Sequence, residues 1–324
     1  MQQLVNRRRM MGSKEHDYSR DYFTMVALED GDISFMMPEN VMKTEDLMTS
    51  ISYSLNGSEW VTHSLYDPNA TGISSITVHV NTGDKLLWKG IGTGYLSDSD
   101  DWGFMFRVCR CSIEGNIMSL CKGDNFIGTE LEYDYQYYGL FYNNGFYDGN
   151  TISDQVDLPN YVINAENLIL PNNTTEGCYE YLFYKNEELI NPPKLPATVL
   201  SVDCYCGMFS NTALIETPEL PADTLISGCY EGMFMDCTNL VKAEINATTF
   251  STKCCTDMFN GCSSLTYIKC MATTGVVTGR SGSCTRWVKN VSSTGTFIKH
   301  PNKTDWAAGT AGIPSGWTVV DADI

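Results

Sequence analysis

Thirteen cysteines and four histidines are the residues of this 324-residue chain best suited to nucleophilic, redox or metal chemistry. Their spacing argues against all three. The close cysteines are Cys109/Cys111, Cys204/Cys206 and the adjacent Cys254/Cys255, and no Cys-x-x-Cys of the kind that holds zinc occurs. His16, His63, His79 and His300 are scattered. Asp98-Ser-Asp-Asp101 brings hard oxygens close enough for calcium, but it lacks the glycine and distal glutamate of an EF-hand and reads as a solvated acidic loop. Gly90-Ile-Gly-Thr-Gly94 has the wrong spacing for a phosphate loop, and neither His-x-x-x-His nor Gly-x-Ser-x-Gly occurs. Paired carboxylates can hydrolyse glycosides, yet the 39 acids offer many chance pairs and single out none. The chain therefore reads as a non-enzyme with no catalytic residue, no metal and no cofactor.

The densest aromatic stretch is Tyr133, Tyr135, Tyr137, Tyr138, Phe141, Tyr142, Phe146 and Tyr147. Aromatic faces stack on sugar rings, so the six tyrosines are candidate glycan-binding residues. The competing reading is that they fill a junction between domains, or an interface between copies of the chain.

Acids outnumber bases by 39 to 21, for a net charge of −18. That excess argues against a nucleic-acid partner, because phosphate binding needs local cation density. The charge is uneven: Arg7, Arg8, Arg9, Lys14 and Arg20 give the first 20 residues a net of about +3, so a basic arm precedes an acidic body. After Arg9 no apolar stretch of secretory-signal length follows, and no run reaches membrane-span length. The expectation is a protein assembled in a cytoplasm, without a membrane partner. In that setting thirteen cysteines read as reduced, buried, small apolar residues, although pairing of Cys229 with Cys237, or of Cys254 with Cys262, stays open.

The elements that must position these residues fall into two kinds. Residues 21–118 carry candidate strands at Tyr22–Ala27, Ile33–Met37, Ile51–Leu55, Trp60–His63, Ser75–Val80, Lys85–Gly90 and Met105–Cys111. Asn56-Gly57 is a type I′ hairpin signal, and the turn spacing suggests an antiparallel sandwich. Residues 114–120 read as a hand-over strand. From residue 165 the chain repeats itself: Leu195-Pro-Ala, Cys204-Tyr205, Met208-Phe209 and Leu214 recur as Leu220-Pro-Ala, Cys229-Tyr230, Met233-Phe234 and Leu240. Worn copies place Cys178 and Phe183 before these residues and Cys254 and Phe259 after them, and Tyr138-Gly-Leu-Phe141 stands as a degenerate first copy. Leu200, Cys204 and Met208 fall at i, i+4 and i+8, which predicts one short helix and one strand per unit, stacked as a solenoid. The period fades after Cys270, so 273–324 reads as a closing cap.

The fold expected is thus α+β. A basic arm (1–20) leads into a β-sandwich (21–118), a repeat solenoid (119–272) and a cap (273–324). Cys178, Phe183, Cys204, Phe209, Cys229, Phe234, Cys254 and Phe259 form the repeat core.

The repeat resembles BspA-like leucine-rich repeats, through Leu-Pro-Ala-x-x-Leu, Cys-Tyr-x-x-Met-Phe, Cys237-Thr-Asn-Leu240 and Leu265-Thr-Tyr-Ile-Lys-Cys270. Cys255 for Tyr, Leu182 for Met and Asn246 for Pro depart from it. The opening Asn6-Arg-Arg-Arg-Met-Met, the line Asp21-Tyr-Phe-Thr-Met-Val-Ala-Leu-Glu-Asp30 and the ending Ile313-Pro-Ser-Gly-Trp317 resemble virion surface proteins of crAss-like Bacteroides phages. So do Ser54-Leu-Asn-Gly-Ser-Glu-Trp60 and Gly83-Asp-Lys-Leu-Leu-Trp-Lys-Gly90. That resemblance implies a head fibre on the particle surface. Its Arg7, Arg8 and Arg9 would dock on capsid or other virion proteins, it would form a homodimer or homotrimer, and its repeats would face host-surface glycan. A tail fibre and a bacterial surface adhesin carry the same modules.

Overall fold

The computed structural model describes residues 16–38, 42, 48–92, 103–143, 146–147, 152–153, 160–277 and 282–324. It is mostly β, with 31% strand and 4% helix. The strands of the first half are β1 (Phe23–Ala27), β2 (Gly31–Pro38), β3 (Met48–Leu55), β4 (Val61–Ser64), β5 (Ile73–Val80), β6 (Lys85–Gly92), β7 (Met105–Val108) and β8 (Cys111–Asn116). A one-turn helix, α1 (Ser119–Lys122), follows. Then come β9 (Phe146–Tyr147), β10 (Ile152–Ser153) and β11 (Val162–Ile169).

Two sheets face each other. One runs β11-β8-β1-β6-β3-β4 and the other β5-β2-β7. Alternation along β6 points Leu86 and Trp88 inward, both fully buried. Across the gap Phe106 meets Trp88 at 5.2 Å edge to face and Phe35 meets it at 6.2 Å, while Phe35 and Phe106 are neighbours within the small sheet. The β3–β4 hairpin turns at Asn56 and Gly57, both at positive φ, which is what a type I′ turn requires.

The second half is a β-solenoid of about four turns. Its strands are β12 (Thr224–Leu225), β13 (Lys242–Ile245), β14 (Thr249–Phe250), β15 (Tyr267–Cys270), β16 (Thr296–Lys299) and β17 (Thr318–Asp321). β13, β15, β16 and β17 form one parallel ladder, and β12 pairs with β14 in another. The ladder does not end at Cys270, where the sequence period fades; β16 and β17 continue it.

The segment read as a helix is not one, so the α+β expectation of a strand plus a short helix per repeat is corrected. Within 177–185, alternate residues donate to the next coil: Tyr179 N–H to Cys204 C=O at 3.0 Å, and Phe183 N–H to Met208 C=O at 3.0 Å. The residues between them close i→i−3 turns, such as Leu182 N–H to Tyr179 C=O at 3.2 Å. Every fourth residue has positive φ: Gly177 (56°), Tyr181 (54°) and Lys185 (59°), then Asp203, Gly207 and Asn211 in the next coil. A helix cannot hold a left-handed residue every fourth position. The i, i+4 spacing belongs to a ribbon of linked turns that lies flat on its neighbours.

Cys178, Cys204, Cys229 and Cys254 fill one fully buried column, and Phe183, Phe209, Phe234 and Phe259 fill another. Successive rings of the phenylalanine column stack at 5.9, 5.7 and 5.8 Å. Cys237 and Cys262 each donate their thiol back one coil, to Phe209 C=O and Phe234 C=O at 3.0 Å. All thirteen cysteines are free thiols, so neither Cys229–Cys237 nor Cys254–Cys262 is paired. β8 pairs in parallel with β11, so the six-stranded sheet of the sandwich runs on into the first coil of the solenoid.

Candidate functional site

The degenerate copy is a full ribbon. Tyr135, Tyr137, Gly139 and Phe141 donate to Glu176, Cys178, Glu180 and Leu182 on the next coil. Its geometry sorts the sequence-predicted tyrosines. Tyr137 faces inward and is buried. Its hydroxyl donates to Ile117 C=O at 3.1 Å, and its ring stacks on Tyr179 at 6.1 Å. It fills the junction between sandwich and solenoid. Tyr133 is exposed, and its carbonyl accepts from the Thr175 hydroxyl at 2.6 Å. The Tyr147 side chain lies outside the described residues, as do Arg7, Arg8, Arg9 and the Asp98–Asp101 loop.

Tyr135, Tyr138 and Tyr142 do come together, half-buried on the outer side of the ribbon. Two tyrosines of the next coil join them. Tyr138 meets Tyr181 at 5.7 Å edge to face, Tyr142 stacks on Tyr184 at 4.8 Å, and Tyr181 meets Tyr184 at 5.4 Å. Tyr135 meets Tyr138 at 6.2 Å. Sequence reasoning missed Tyr181 and Tyr184. The missed signal is the four-residue period: Tyr138 and Tyr142 stand four apart on the outward side, and Tyr184 takes the same outward place as Tyr142 one coil on.

Carboxylates border the rings. Tyr135 O–H donates to Glu176 at 3.3 Å. Glu180, Asp203 and Glu231 stand on successive coils. Burial raises the Glu180 carboxyl to about 7, and Asp203 beside it adds to the rise, while a hydrogen bond from the Cys206 thiol works against it. Burial also raises Asp203 and Glu231. Burial pushes the Tyr138 and Tyr181 phenols well above their usual range, so both stay protonated at neutral pH. The surface thus offers flat aromatic area, carboxylate acceptors, and one carboxyl poised to donate or accept near pH 7. Those are the groups that meet the apolar faces and hydroxyls of a sugar.

Nothing comparable gathers around the cysteines. Burial raises the Cys178, Cys229 and Cys255 thiols far above their usual range, which removes the thiolate a nucleophile or metal ligand needs. Among the described residues no cluster of histidine, cysteine or carboxylate is arranged to hold a metal ion, and no helix is long and apolar enough to cross a membrane. The chain matches no family model, no curated protein and no solved structure, so its own geometry must carry the functional reading.

Proposed function

We propose that the protein is a structural, adhesive protein of a virion surface: a phage head fibre held to the capsid by its N-terminal arm, with the solenoid turned towards host-surface glycan. The observation that carries the reading is the five-tyrosine surface bordered by carboxylates, built on a rigid ladder of coils. A stacked solenoid is a display scaffold, because each coil contacts only its neighbours and its outer side is free to vary. The basic arm supports docking on an acidic shell through Arg7, Arg8 and Arg9, whose guanidinium forks match carboxylates. The resemblance of the repeats and flanking modules to phage surface proteins supports the particle setting, and it fits a tail fibre or a bacterial adhesin as well.

Electron microscopy of native particles, labelled with an antibody against this protein, tests the assignment. Label on the head supports it, label at the tail tip favours the tail fibre, and label only on bacterial surfaces removes the virion reading. Deletion of residues 1–20 is expected to leave a folded protein that no longer joins the particle; normal incorporation would sink the anchoring role. On a glycan array, Tyr138→Ala and Tyr142→Ala are expected to lose binding that the intact protein shows.

A further inference from the structure

A second polar site stands on the sandwich and shares no residue with the tyrosine surface. A cleft of about 560 Å³ opens on the side of the six-stranded sheet turned away from its core. Its floor is Ser50, Ser52, Thr62 and Lys89, and its wall is the chain leaving α1, through Asn125. The register explains the floor. Ser52 lies opposite both Thr62 and Lys89, while the next residues, Tyr53 and Trp88, turn to the core. The wall is held down at Gly90, where a Cβ would overlap the Leu120 carbonyl, and by the bridge between Ile91 and Lys122.

Lys89 and Asp124 are set in place before any ligand arrives. The Lys89 ammonium sits 4.4 Å from the centre of the Trp60 ring and donates to Asp124 Oδ1 at 2.7 Å. Tyr22 O–H donates to the same oxygen at 2.6 Å. An ammonium has three donors and a carboxylate two acceptor oxygens, so this pair leaves donors and an acceptor oxygen side by side at the cleft. The other lysine of the cleft, Lys122, is matched by Glu132 at 2.6 Å. Each cation therefore has a carboxylate partner, Asp124 in the cleft and Glu132 outside its lining, although the whole chain carries −18. A cleft whose cations are ion-paired, and whose lining sets the Ser50, Ser52 and Thr62 hydroxyls, the Asn125 amide and a fixed donor–acceptor pair beside the apolar Ile91, suits a ligand that carries both hydroxyls and apolar faces better than an anion or a wholly apolar molecule. We propose that it binds a neutral, hydroxyl-rich saccharide of about two or three rings, in the size range of small-molecule pockets. Asp124 accepts from one ring hydroxyl, and Lys89 donates to its neighbour.

The proposal does not rest on the tyrosine surface, and its test separates the two sites. The full-length protein is applied to an array of neutral and acidic oligosaccharides, and each hit is titrated by calorimetry. At least one neutral oligosaccharide is expected to bind. Asp124→Asn and Asn125→Ala should each weaken it at least about tenfold with an unchanged melting temperature, and Tyr138→Ala should leave it within about twofold. If Asp124→Asn does not fold, Ser50→Ala takes its place in the same comparison. Binding of no neutral oligosaccharide, binding of acidic ones alone, or an affinity indifferent to these cleft substitutions would overturn it.

Discussion

The Tyr181 ring lies directly over Gly207 of the next coil, so close that a Cβ on the glycine would overlap the ring. The same pairing recurs where Tyr135 covers Gly177, Asp203 covers Gly228 and Asp236 covers Gly261. In each pair a left-handed residue with a side chain sits on a left-handed glycine. At these four places the glycine leaves room for the side chain stacked on it; elsewhere side chains follow one another, as Lys185, Asn211 and Asp236 do on successive coils.

Gly207 and Gly232 separate backbone strain from this packing. Gly232 has φ of 57° and nothing within 4 Å of a built Cβ, so Gly232→Ala is expected to cost only the left-handed penalty of about 1 kcal/mol. Gly207→Ala carries that penalty and displaces Tyr181, for roughly 2–3 kcal/mol. Adding Tyr181→Ala should restore part of the loss. Urea titrations of the double-mutant cycle measure the coupling, and strict additivity would disprove the contact.

The buried tyrosine column predicts opposite outcomes for one substitution. The Tyr137 hydroxyl is bonded, so Tyr137→Phe should destabilise by about 1 kcal/mol. The Tyr179 and Tyr205 hydroxyls are buried with no protein partner, so Tyr179→Phe and Tyr205→Phe should be neutral or stabilising. Melting temperatures of the three variants decide the matter.

Glu180 makes stability depend on pH. Its folded carboxyl titrates at about 7 against the usual 4.5 of an exposed glutamate, so the native state holds a proton that the unfolded chain has lost between those values. Stability therefore falls as pH rises through that window and is level above it, by at most about 3 kcal/mol. Glu180→Gln should remove the largest part of the slope, leaving the smaller part that Asp203 and Glu231 supply, and should be more stable than the parent at pH 8. Chemical denaturation at pH 5 and pH 8 reads both effects.

The phenylalanine column predicts a large loss from one truncation. Phe209 stacks on Phe183 and Phe234 and has no exposed surface, so Phe209→Ala should cost about 3–5 kcal/mol. Calorimetry should find the melting point well below that of the parent.

How far the fold could be read from sequence depended on whether a local pattern had one structural meaning. Asn56-Gly57 has one, and the β3–β4 hairpin stands where it pointed. Met105–Cys111 read as a single strand, but the chain changes sheets there: β7 belongs to the small sheet and β8 to the large one, with Cys109 and Arg110 as the step. The four-residue spacing of Leu200, Cys204 and Met208 fits a helix and a turn ribbon equally. Glycine, asparagine and aspartate recurring at every fourth place was the discriminating mark. Past Cys270 the column persists with altered residues, since Trp287 takes the place of Met258 one coil earlier and packs on Phe259 at 6.0 Å. Of the tyrosine surface, Tyr135, Tyr138 and Tyr142 were legible, and Tyr181 and Tyr184 depended on knowing the ribbon.

The parallel pairing of β8 with β11 bears on how the chain acquires its shape. A repeat array standing alone can begin to order at any coil. Here the first coil finds a finished edge to grow on, so ordering is expected to start at the sandwich and travel towards Ile324. A solenoid expressed from residue 119 would lack that template and would leave Tyr137 and Phe141 facing water. The sandwich is then the seed of the array, and the two halves should melt together.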